Sequence, residues 1–99
     1  MPDFVCEILS DSTAKRDRGV KYRDYEAHGV GEYWVIDVEA ESLEQYILSE
    51  GSYSLALKSD SGQVRSRVIA GFEIPIRALF DSEQNLAALQ ALLGGRPGS

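Results

Sequence analysis

The sequence is short of several things, and each shortage excludes a class of protein. Cys6 is its only cysteine, so there is neither an internal disulfide framework nor a cysteine-based zinc site. His28 is its only histidine, which removes the usual Ser-His-Asp and Cys-His arrangements of nucleophilic catalysis. Lys and Arg number 10 against 16 Asp and Glu, and a formal net charge of -6 argues against a protein that coats nucleic acid in general. No apolar run approaches the ~20 residues needed to cross a bilayer. Met1-Pro2-Asp3 opens without the charged and apolar regions of a signal peptide. A cytoplasmic protein with no membrane partner is expected. Gly29-Val30-Gly31 lacks the third glycine and the preceding strand of a dinucleotide loop. With 99 residues, 43% of them hydrophobic, the chain has room for one small folded domain.

What is present reads as alternating strands and helices. Phe4 to Leu9 is an apolar run broken by one carboxylate, the pattern of a strand buried on both faces. Alternation places Asp3, Val5 and Glu7 on one face and Phe4, Cys6 and Ile8 on the other. Ser10-Asp11-Ser12-Thr13 is a cluster of N-cap residues and predicts a helix from Thr13 to Ala27, weakened at Gly19 and ended at His28-Gly29. Tyr33 to Val38, aromatic and β-branched, is the strongest strand signal. Strand, helix and strand make a βαβ unit with a right-handed crossover. Leu43 to Leu48 and Ser52 to Leu57, parted by Glu50-Gly51, predict an antiparallel meander. Val64 to Ile69 reads as a weaker strand, and Phe72 to Ile76 as another that Pro75 confines to an edge or an end. Leu86 to Leu93 predicts a short helix before a glycine-rich tail. The fold class is therefore α/β (α+β): a mixed sheet with a βαβ unit followed by a meander. Residues 1–80 carry the domain, and 81–99 the C-terminal helix and tail.

Glu7 is the residue that packing does not explain. An ionised carboxylate inside a strand buried on both faces is costly unless it is paired or binds a metal. It pairs with a basic residue of the following helix, or it forms a hard-cation site in which Mg²⁺ keeps several waters. On that helix Asp17, Lys21 and Tyr25 stand at i, i+4 and i+8, along one face. Either Asp17 and Lys21 form an ordinary ion pair, or Lys21 reaches over the strand toward Glu7, where it could stabilise a pentavalent phosphate. Charge is uneven around these residues: five of the basic side chains fall between Lys15 and Arg23, whereas Asp24 to Glu50 holds eight acids and no Lys or Arg. The basic stretch is a solvated helix face or a local phosphate-binding surface.

Pro2-Asp3-Phe4-Val5-Cys6-Glu7-Ile8-Leu9-Ser10, Ser12-Thr13, Arg16-Asp17-Arg18-Gly19-Val20-Lys21 and Tyr25 resemble the Uma2 family of restriction endonuclease-like proteins. Gly29-Val30, Glu32-Tyr33-Trp34-Val35-Ile36-Asp37, Ile69-Ala70-Gly71-Phe72-Glu73-Ile74 and Leu79-Phe80 continue the likeness, which spans residues 2–80. It implies a PD-(D/E)xK nuclease-like fold with an acidic metal-binding site beside a lysine. On that resemblance Glu7 is the carboxylate of a core strand, and Leu9 occupies the usual lysine position, so Lys21 supplies the amine from the helix. Asp3, Asp17 and Tyr25 complete the candidate catalytic set, with Glu7 and Asp3 as the metal ligands for Mg²⁺ or Mn²⁺. The family pattern has proline where Asp11 stands. The resemblance also implies a longer domain, whose N-terminal part holds a further helix, two strands and another metal-binding aspartate. The expectation is the C-terminal half of such a domain.

Three functions follow as expectations. The first is a metal-dependent DNA endonuclease that needs a homodimer partner, another polypeptide or an upstream sequence to complete it. The second is a non-catalytic remnant acting as a dimeric or partner-binding module. The third is a β-rich interaction module of no nuclease ancestry, which leaves Glu7 and the Asp17, Lys21, Tyr25 stripe unexplained.

Overall fold

The computed structural model describes residues 3–9 and 18–81. Strand β1 (Phe4–Leu9) leads through helix α1 (Arg18–Ala27) to β2 (Glu32–Asp37), which lies parallel to β1. Strands β3 (Ser42–Ser49) and β4 (Ser52–Ser59) follow antiparallel, giving a mixed sheet of order β1-β2-β3-β4. A small antiparallel sheet of β5 (Gln63–Arg65) and β6 (Glu73–Pro75) precedes a 3₁₀ turn, Ile76–Phe80. This is the mixed sheet with a βαβ unit and meander that the hydrophobic pattern predicts. The predicted helix start between Thr13 and Asp17, and the predicted helix Leu86 to Leu93, lie outside the described residues.

The apolar runs of β1 and β2 are explained by cover on both faces. On one face Phe4, Cys6, Trp34, Ile36 and Leu43 pack against Val64 of the small sheet and Ile76 and Leu79 of the 3₁₀ turn. On the other, Val5, Leu9, Tyr33 and Val35 meet Tyr22 and Tyr25 of α1, with Tyr46 and Tyr53 from the meander. Each aliphatic side chain so buried contributes ~1.5–3 kcal/mol. Phe4 adds an edge-on contact to Trp34, with ring centroids 5.1 Å apart.

Two glycines set the chain's reversals. Gly29, at φ +76°, ends α1 in a Schellman closure: Val30 N–H donates to Tyr25 O at 3.0 Å and Gly29 N–H to Glu26 O at 3.2 Å. Glu50 and Gly51, at φ +53° and +80°, form the two left-handed residues of a tight hairpin that matches strand twist. A register shift between Gln45 and Tyr46 leaves Ala56 as the extra residue of a β-bulge in β4.

Several element boundaries differ from expectation. β2 begins at Glu32, one residue early, because Glu32 N–H opens the ladder on Asp3 O at 3.0 Å. The strand predicted over Val64 to Ile69 stops at Arg65, since the amides of Arg67 and Val68 turn inward to the Glu32 carboxylate. Phe72 falls outside β6 and Ile76 inside the 3₁₀ turn, while Pro75 closes the strand, as a residue with no N–H to donate should.

Candidate active site

Glu7 sits midway along β1 on the face toward α1, and it is 1% exposed. Lys21 and Tyr25 are one helical turn apart, so both descend from the same side of α1. The Lys21 ammonium donates to Glu7 Oε2 at 3.4 Å, and the Tyr25 hydroxyl donates to Glu7 Oε1. Lys21 keeps 20% of its side chain exposed, so the cluster joins a buried carboxylate to a lysine at the edge of the protein interior. This arrangement can hold a carboxylate ionised in the interior and present a cation at its rim.

Of the residues the sequence singles out, the structure brings together Glu7, Lys21 and Tyr25. Asp3 shares the face of Glu7 but lies four residues along the strand, about 13 Å away at the usual strand rise. Its side chain is exposed, and its carbonyl serves the ladder by accepting from Glu32 N–H. Asp17 lies outside the described residues.

Two further buried carboxylates escaped the sequence reading. Glu44 on β3 is 6% exposed and stands in the same cross-strand row as Glu7, through Glu7↔Val35 and Val35↔Glu44. The Tyr46 hydroxyl donates to it, as Tyr25 does to Glu7. A Glu-x-Tyr alternation on a strand puts both side chains on one face, and that was the available signal. All five tyrosines gather on this side of the sheet: Tyr22 meets Tyr46 and Tyr53 edge-on at 5.1 and 5.2 Å, and Tyr33 lies between Tyr25 and Tyr46 at 5.2 and 5.9 Å.

Glu32, on the opposite face, is fully buried. Its Oε2 accepts from Trp34 Nε1 at 2.6 Å and Gln45 Nε2 at 2.8 Å. Its Oε1 accepts from Ser66 Oγ at 2.8 Å and from the amides of Arg67 and Val68 at 2.9 Å each. Ser66 Oγ in turn accepts from Ile69 N–H at 2.9 Å. This carboxylate ties the 66–69 turn to the main sheet with donors alone, in the manner of an anion-binding loop whose anion belongs to the chain.

Cys6 points away from Glu7, into the core beneath Trp34. Burial, and then the neighbouring Glu7 charge, push its thiol up to about 12, so it stays protonated and inert. His28 caps the end of α1, its ring nitrogen Nδ1 lying 2.7 Å from Asp24 O at the surface.

A family model matches residues 1–77, most of the length of the chain. The chain belongs to the Uma2 family. Its description reads "Putative restriction endonuclease", which supports a nuclease-like role in general. No curated protein matches the chain. No described helix is long and apolar enough to cross a membrane.

Uma2 membership raises the question of a divalent metal at Glu7. Among the described residues no group of three His, Cys, Asp or Glu side chains could hold one. Both oxygens of Glu7 are engaged by Tyr25 and Lys21, and Asp3 is too far along the strand to share an ion with it. The described donor set does not fit a metal centre.

Proposed function

We propose that the chain carries the carboxylate–lysine half of a phosphodiester-hydrolysing site of the Uma2 type, acting on DNA. The observation that carries this reading is the Glu7–Lys21–Tyr25 cluster: a buried carboxylate held by a tyrosine and by a lysine whose side chain is partly exposed. In this reading Glu7 orients and deprotonates the attacking water. Lys21 meets the charge that develops on the non-bridging phosphoryl oxygens, where a positioned cation stabilises it. Tyr25 is the positioning residue that fixes the Glu7 rotamer. Any divalent-metal requirement is met by acidic donors beyond the described residues, such as those of a second copy or a partner chain. Plasmid cleavage with Mg²⁺ or Mn²⁺ tests the assignment, comparing the wild type with Glu7→Gln and Lys21→Ala. Loss of cleavage in both variants supports it, and equal activity in all three rejects it.

One observation favours a second reading. Glu7 is fully satisfied within the chain, as expected of a structural lock in a non-catalytic, partner-binding or dimeric module. Light scattering with a metal titration separates the two. A dimer that shows no metal response and no cleavage supports the module.

A further inference from the structure

Glu7 is the group on which the proposed chemistry depends, yet at 1% exposure it cannot meet a phosphodiester where it stands. Helix α1 covers it. From Gly19 to Ala27 no residue of that helix is fully buried, and its one branched aliphatic side chain, Val20, points outward at 68% exposure. The half-buried side instead carries Lys21, Tyr22, Tyr25 and Glu26. The apolar cover that α1 lays over Val5, Leu9 and Val35 comes from the rings of Tyr22 and Tyr25, and its other described ties to the sheet are polar bonds.

Among the described residues those bonds fall in two places. Lys21 and Tyr25 reach Glu7 on β1. Glu26 Oε2 accepts from Tyr53 N–H at 2.8 Å, and the Tyr22 hydroxyl donates to Tyr53 O at 3.4 Å, which ties the helix to β4 at the far edge of the sheet. Beyond the helix, Val30 is anchored by full burial and by the Tyr53 hydroxyl, which donates to Val30 O at 2.7 Å. Gly29, in the left-handed region, is the pivot between the helix and that anchor.

We propose that α1 is a cover over Glu7, latched by polar contacts, which lifts from the sheet about Gly29 when the Glu26–Tyr53 contact opens and so admits a DNA phosphodiester to the carboxylate. The purpose of the motion rests on the nuclease reading above; the motion itself does not. Opening is sub-global: β1 to β4 keep their ladder while α1 detaches.

Amide hydrogen exchange on the full chain tests this, residue by residue. In the wild type, α1 amides exchange through an opening that leaves Trp34, Val35 and Ile36 protected. Glu26→Ala, which leaves Glu7, Lys21 and Tyr25 in place, speeds α1 exchange about tenfold or more, the loss of one charge-assisted bond, with no change in β2. The proposal is overturned when wild-type α1 and β2 amides exchange together through global unfolding, or when Glu26→Ala speeds both alike. Cleavage assays on the same samples keep the two readings apart. An opening cover without Glu7-dependent cleavage defeats the nuclease reading alone, and Glu7-dependent cleavage beneath a helix that never opens defeats the cover alone.

Discussion

Lys21 Nζ lies 3.4 Å from Glu7 Oε2, a contact that joins the middle of β1 to the inward side of α1 across 14 residues of sequence. The two ends of the pair are unequal: the carboxylate is 1% exposed, whereas the lysine side chain keeps 20%. Water therefore screens part of the attraction, and the pair is worth less than a fully buried one.

Removing the lysine leaves Tyr25 as the one described donor to a buried charge. Lys21→Ala is expected to lower unfolding stability by about 1–3 kcal/mol, the cost of a poorly compensated buried charged group. Glu7→Gln in the same background recovers part of that loss, because a neutral amide no longer needs the cation. Urea denaturation of the two single variants and the double variant measures the coupling. Additive effects, within about 0.5 kcal/mol, refute an energetic link between the residues.

Glu32 makes a sharper case. Its donors come from β2, β3 and the turn after β5, so one carboxylate holds two sheets together. Glu32→Ala strands several buried donors, each costing about 1–3 kcal/mol, in a domain whose whole stability is ~5–15 kcal/mol. The expected outcome is loss of cooperative folding or detachment of the 66–69 turn. Trp34 is the only tryptophan and donates directly to Glu32, so its fluorescence reports the change. A variant with wild-type emission and melting temperature contradicts the clamp.

Much of this was legible in the residues, for identifiable reasons. A carboxylate inside an apolar run stands out, and the i, i+4 spacing of Lys21 and Tyr25 put them on one helix face, so the cluster was within reach of local pattern. Asp3 entered the candidate set through the family resemblance, and alternation, which puts it on the face of Glu7, records no distance along that face. Glu32 escaped because it reads as the polar lead-in to Tyr33-Trp34, while four of its five donors arrive from 13 to 36 residues away. Those same bonds pull Ser66 to Val68 out of the strand that their β-propensity suggested. Glu44 escaped for a related reason. Its burial depends on the packing of five tyrosines that the chain brings from α1, β2, β3 and β4.

Alkaline pH should destabilise the fold in two stages. The Cys6 thiol is raised from 9.0 to about 12 by burial and then by Glu7. The Tyr53 phenol is raised from 10.0 to about 12 by burial, then by Glu26 and Tyr22. In each case the folded form holds its proton over a range in which the unfolded chain has released it, so stability falls with rising pH. The decline begins near pH 9 with the thiol and steepens past 10, approaching about 1.4 kcal/mol per pH unit for each group. Denaturation midpoints from pH 8 to 11 test this, with Cys6→Ala removing the first stage. A flat profile over that range contradicts the burial of both groups.

The described donor set around Glu7 sets an expected metal response. Among the described residues one carboxylate, already bonded by Tyr25 and Lys21, gives a divalent ion a single ligand and a competing cation at the same oxygens. Mg²⁺ should bind no more tightly than the millimolar range. If 10 mM Mg²⁺ matches Kd, stabilisation is RT ln 2, about 0.4 kcal/mol, and the shift in melting temperature is only a few degrees at most. Calorimetric titration should show little heat, and Glu7→Gln should remove what there is. A micromolar site that Glu7→Gln abolishes would mean that residues beyond those described complete a metal centre on Glu7. In that event Lys21 must give up its contact with Oε2 on binding, and the change in the lysine amine signal by NMR would record the exchange of one cation for another.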